Sequence, residues 1–159
     1  MSASHPLPDI AQVKDLLGML FDALSVKLGA KLDVSPKAAS YFGVYVSDDG
    51  TPVALCGCDM AFAANSGAAL SMLPPNVAKE AAKDKELTPV MLANLHEVMN
   101  ICTRLMLRDD SPHLKLRELC ALNALPPPAA AIIAAPRGRI DFEIGLGKYG
   151  SGVLSVMCL

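Results

Sequence analysis

Glu97 and Asn100 stand three residues apart in a segment, Pro89 to Arg108, whose apolar residues recur at helical spacing. On a wheel of about 100° per residue starting at Glu97, the apolar side chains from Met91 and Leu92 through Leu95, Val98, Met99 and Cys102 to Leu105 and Met106 fall between about 80° and 220°. Asn100 falls near about 300°, Arg104 near about 340° and Arg108 near about 20°. Glu97 and Asn100 therefore share the polar side, one turn apart. A carboxylate and a carboxamide with no adjoining Ser or His do not make a nucleophilic pair. The carboxylate can meet an ammonium group on a partner. The carboxamide both donates and accepts, so it can hold a water in a set orientation. A water in line with a phosphoryl group, beside a metal ion, needs positioning more than it needs a strong base. The pattern suits two groups that complete an active site belonging mainly to another protein.

Other chemistry-bearing types have plainer readings. In Cys56-Gly57-Cys58 the two thiols point to one face of a strand, where core packing suffices. His5, His96 and His113 show no zinc spacing, and no second cysteine pair exists. No cysteine has a visible activating base, so a thiol nucleophile is not expected. The run Gly145-Leu146-Gly147-Lys148-Tyr149-Gly150 precedes a strand and lacks the helix start of a phosphate loop, so it reads as a hairpin turn. Asp48-Asp49-Gly50 lacks the later ligands of a calcium loop and reads as a turn.

The elements that must position the pair follow from punctuation and periodicity. Residues 1–8 read as a loose lead-in. Asp9 caps a helix expected to run to about Gly29. Tyr41–Val46 and Pro52–Cys58 form a hairpin across Ser47 to Thr51. Asp59 caps a helix from Met60 to about Leu73, and a short helix follows over Asn76–Lys83. Thr88-Pro89 starts the helix that bears the pair. Strands are expected at Leu114–Leu122, Ala129–Ala135, Gly138–Leu146 and Gly152–Cys158. Strands adjoin strands without alternating with helices, so the class is α+β with a mainly antiparallel sheet.

Glu97-Val98-Met99-Asn100 in this context resembles the E-x-x-N motif of the CheC/CheX/FliY family of chemotaxis phosphatases. The motif sits mid-helix after a hairpin and a helix, and a β-rich half follows it. The single copy is more similar to CheX-like proteins than to CheC, which carries two. The chain departs from the family in two places. Ala93 stands where the family often has Asp or Ser, and the downstream proline arrives slightly late, at Pro126 to Pro128. The resemblance implies one CheC-like domain over residues 1–159. It implies that Glu97 binds the active-site Lys of a phosphorylated CheY-type response regulator, and that Asn100 orients the water attacking its aspartyl phosphate. It further implies a homodimer. Mg²⁺ would sit on the regulator, so no cofactor is expected on this chain.

Composition bounds the alternatives. A chain of 159 residues with 52% apolar and 19% charged residues can bury one sizeable core. Its net charge of −2 and the lack of a Lys/Arg cluster argue against nucleic acid. No run of about 18 apolar residues suggests a membrane span. The opening residues lack a signal-peptide pattern, and the five cysteines show no paired framework, so a cytoplasmic setting with reduced thiols is expected. Two other functions fit the same chain. One is a catalytically silent binding or adaptor domain of the same fold, which the two departures favour. The other is a small-ligand sensor, suggested by the Met-rich apolar composition.

Overall fold

Strand residues that are apolar on both sides dictate the architecture. The computed structural model describes residues 5–159. Six strands, β1 (Leu24–Lys27), β2 (Ser40–Val46), β3 (Pro52–Asp59), β4 (Lys115–Ala121), β5 (Gly138–Leu146) and β6 (Ser151–Cys158), form one antiparallel sheet in the order β1-β5-β6-β3-β2-β4. In β2, Phe42, Val44 and Val46 face one way while Tyr45 faces the other, and all are buried. In β3, Leu55 opposes Ala54, Cys56 and Cys58. Such strands need cover on both faces. The chain is an α+β protein.

One face carries α1 (Ile10–Leu17), α2 (Met60–Leu70) and α4 (Pro89–Ile101), with α3 (Pro75–Asp84) packed outside α2. The other is covered by α5 (Pro127–Ala134) and by the segment around Leu32. Asp59 links the layers. Its carboxylate accepts from Phe62 N at 2.8 Å, capping α2, and from Val153 N at 3.1 Å in β6. At Gly152 a Cβ would fall 2.3 Å from Phe62 N, so β6 can approach the first turn of α2 only without a side chain there. The β2–β3 turn closes through Ser47 N to Thr51 O at 3.0 Å, with Gly50 at φ 83°.

The loop side is tied down by a polar cluster. Asp141 accepts from Leu32 N at 2.7 Å, from Ser155 Oγ at 2.8 Å and from both Arg139 Nε and Nη2, at 2.9 and 2.8 Å. Arg139 Nη2 also donates to Leu32 O at 3.0 Å. Burial alone would push the Asp141 carboxyl upward. The hydrogen bonds from Arg139, Leu32 and Ser155 outweigh it and hold the group below the ordinary carboxylate range.

Four expectations from sequence are corrected. The first helix ends at Leu17 with Gly18 as its cap, and Leu24–Lys27 is a strand. Leu20, Leu24 and Leu28 repeat every fourth residue, but the free edge of β5 offers a backbone ladder, and Leu24 and Val26 turn inward together. Leu28 is 54% exposed. Ala129–Ala135 is not a strand: Pro127–Ala134 is helical, because prolines at a helix's start cost no hydrogen bond and preset its φ. Ala129 and Ile132, one turn apart, are its buried residues. The lead-in is not loose from residue 5 onward. His5 is buried with Nδ1 3.1 Å from Met106 O, Leu7 packs on the core and Pro8 is buried; residues 1–4 lie outside the described residues. The long helix stops at Ile101 and tightens into a 3₁₀ turn over Cys102–Met106.

Candidate functional site

The helix bearing the pair is rigidly mounted from behind. Thr88 Oγ1 accepts from Met91 N at 3.2 Å and Pro89 occupies the first turn, which sets where α4 begins. Met91, Leu95, Val98 and Met99 are fully buried. Each such side chain contributes roughly 1.5–3 kcal/mol of burial. The crossing with α2 is close: a Cβ on Gly67 would stand 2.8 Å from Met91 O. Asn94 Nδ2 locks that crossing by donating to Gly67 O at 2.8 Å and Ser71 Oγ at 2.7 Å. From the sheet below, the buried Tyr45 hydroxyl donates to Met99 O. At the end of the helix, Cys102 N–H reaches Asn100 O and Val98 O, and Thr103 Oγ1 donates to Asn100 O at 2.7 Å. The backbone on either side of Asn100 is thus held by two layers.

Against that mounting, the outer face is bare. Glu97 and Asn100 are both exposed, as the helical wheel predicts. Neither the Glu97 carboxylate nor the Asn100 carboxamide bonds another side chain or backbone group among the described residues. His96 is exposed beside them, and Arg104 is exposed one turn further on. Arg108, expected on the same side, is instead tied down. Its guanidinium donates to Gln12 Oε1 at 2.6 Å and to Leu107 O at 2.7 Å, so it braces α1 against the 3₁₀ turn. Beyond Arg104 an open cleft of about 620 Å³, lined by Met19, Leu107, Asp109 and Asp110 among others, extends the face toward α1.

Sequence reading missed the apolar part of this surface. Leu92, expected in the core, is 42% exposed because α4 crosses α2 at Met91 and leaves the neighbouring position uncovered. Val90 is 53% exposed and Ala93 is exposed, both on the Glu97 side. Val90 sits about 20° from Glu97 on a helical wheel, which was the available signal. Ser71, bonded to Asn94, is followed by Met72, which is 87% exposed at φ 56°.

The remaining groups offer no rival chemistry. Cys56 and Cys58 point to one face and are buried with Cys102. The Cys102 thiol is pushed well up by its hydrogen bond with Cys56 and by burial, and that of Cys58 by burial and by Asp59. Burial raises Cys120 and Cys158 to about 11. Protonated thiols in a core are poor nucleophiles. No group of three or more His, Cys, Asp or Glu among the described residues is arranged to hold a metal ion. No helix among them is long and apolar enough to cross a membrane.

No family model matches the chain, and no curated protein matches it by sequence. Solved structures do match. A chain of the FliM–SpeE complex from H. pylori superposes with a TM-score of 0.57 at 12% identity, over 94% of this chain and 78% of that one. A chain of the CheX–CheY–BeF3–Mg²⁺ complex from Borrelia burgdorferi gives 0.53 at 14% identity, over 91% and 90%. The FliM middle domain from H. pylori gives 0.51 at 11% identity, over 94% and 82%.

Proposed function

We propose that the chain, whose α+β fold is similar to those of CheX and the FliM middle domain, docks on the phosphorylated receiver domain of a CheY-type response regulator and hastens loss of its phosphate. The observation that carries this reading is the exposure of Glu97 and Asn100 side by side on a helix whose back and backbone are fixed.

In this mechanism Glu97 meets a Lys ammonium at the regulator's phosphorylation site and sets the register of docking. The Asn100 carboxamide then enters the site. Its oxygen accepts from a water and its nitrogen donates toward the phosphoryl region, which leaves the water's lone pair aimed at phosphorus. A Mg²⁺ ion held by the regulator would supply the countercharge for the phosphoryl oxygens. The chain needs no metal or cofactor of its own for these steps. Rigid mounting matters because a misplacement of about 1 Å can cost on the order of a hundredfold in rate. Val90, Leu92 and Ala93 supply an apolar margin to the docking surface, and Arg104 an attraction for carboxylates on the regulator.

The test is phosphate release from a phosphorylated receiver with catalytic amounts of the chain. Turnover above the receiver's own rate supports the phosphatase. Binding without acceleration identifies the second reading, a silent adaptor, which Ala93 and the late proline at Pro126 to Pro128 favour. A homodimer is part of the proposal, and light scattering on the purified chain checks it. The outer strands β1 and β4 each leave one edge unpaired in the sheet, so an edge-to-edge contact could form it.

A further inference from the structure

The helix that supports α4 ends in a backbone lock. Leu73 N–H donates to Ala68 O at 2.9 Å, and Met72 N–H to Ala69 O at 3.0 Å. These paired bonds close the end of α2 only if the residue after its cap turns left-handed, a place that glycine usually takes because it has no Cβ to crowd the backbone. Here the residue is Met72, at φ 56°. The turn itself serves Leu73, which packs against Ala68 and Met91. The Met72 side chain has no such use within the chain. It is 87% exposed, the most exposed large apolar side chain among the described residues. Strain at its backbone is therefore not offset by burial of its side chain.

The position of this residue links it to the face that bears Glu97 and Asn100. Ser71, one residue before it, receives a hydrogen bond on Oγ from Asn94 Nδ2 at 2.7 Å. Val90 stands four residues before Asn94 and Glu97 three after, so both neighbour Asn94 on that flank of α4. Val90 is 53% exposed. The α2 end thus adds an apolar rim to the flank from which Glu97 and then Asn100 continue. Methionine suits a rim of this kind, since its unbranched thioether adapts to an irregular apolar surface. A strained residue held outward beside functional groups points to a contact made by a partner. The partner already called for by that face is the receiver.

We propose that Met72 is a docking residue for the receiver domain. With Val90 it seats on apolar side chains that border the receiver's phosphorylation site, while Glu97 and Asn100 reach the Lys and the phosphoryl group. The inference rests on the docking reading above and deepens it. It applies to a phosphatase and to a silent adaptor alike, because it concerns binding and no step of hydrolysis.

The experiment measures binding and stability on the same full-length variants. Binding is read by calorimetry with a CheY-type receiver carrying BeF3 and Mg²⁺ in place of its phosphate, and stability by thermal melting. Met72→Gly should melt at or above the parent temperature, since the backbone strain is relieved, and should bind the receiver about tenfold more weakly. Lost affinity without lost stability separates a docking role from a structural one. Met72→Gln keeps the length and removes the apolar character, so it should bind as weakly as Met72→Gly. Met72→Leu should stay within about twofold of the parent. A parent chain that fails to bind the receiver would overturn the docking reading and this assignment with it. A parent that binds, with Met72→Gly and Met72→Gln undiminished, would overturn the Met72 assignment alone. So would a Met72→Gly chain that melts below the parent. A Met72→Gly chain that keeps full receiver binding but drops to a monomer in light scattering would place Met72 against a second copy, and would overturn the assignment too.

Discussion

Asp141 and Glu97 are both carboxylates, and the fold treats them in opposite ways. Asp141 is enclosed on the α5 side of the sheet, and four donors fill its lone pairs. Glu97 stands exposed on α4 beside Asn100, and neither side chain has a partner among the described residues. The difference teaches where each residue's free energy is realised. A satisfied buried cluster fixes the position of a loop, and its loss is felt as instability. A bare pair on a clamped helix contributes little to folding, and its loss is felt only when a partner arrives.

That contrast can be broken at several points. The largest expected effect is on Asp141→Ala, which leaves Arg139 and Leu32 N without their acceptor and should destabilise the chain by about 3 kcal/mol in chemical denaturation. The pH dependence follows from the depressed carboxyl. Its folded pKa lies below the unfolded value, so its contribution is complete above the unfolded pKa and fades as pH falls through the folded one. The acid limb of the stability curve should flatten in the variant; an unchanged limb would show that Asp141 does not contribute. Glu97→Ala should weaken receiver binding about tenfold, equivalent to about 1.4 kcal/mol, while stability stays within about 0.5 kcal/mol. Calorimetry and thermal melting read the two separately. Tyr45→Phe should cost about 1 kcal/mol, because it removes the buried donor to Met99 O. If receiver turnover in Tyr45→Phe fell as far as in an Asn100 variant, the division between mounting and working face would fail.

Much of this arrangement was legible before the fold was known, for identifiable reasons. The β2–β3 hairpin announced itself by a Ser-Asp-Asp-Gly turn between apolar runs. The α4 start was written in Thr88-Pro89, and the wheel separated Glu97 and Asn100 from the core correctly. What was hidden depended on neighbours distant in sequence. Leu24–Lys27 is a strand because β5 presents an edge to it, and a four-residue segment carries too little periodicity to reveal that. Pro126 to Pro128 read as a break, although proline at a helix start is favourable, and the short Ala/Ile run after it suits either state. Leu92 is exposed through the crossing of two helices, which no single-helix pattern encodes. A cavity at Ser40 is assembled from four separate segments, so nothing local foretold it.

The most direct measurement of the central claim compares phosphate release from a phosphorylated CheY-type receiver with the parent chain and with Asn100→Ala, at equal receiver occupancy. The account predicts turnover by the parent and a loss of about a hundredfold in the variant, the size seen when one positioned transition-state contact is removed, with an unaltered melting curve. Equal rates in the two proteins would contradict it.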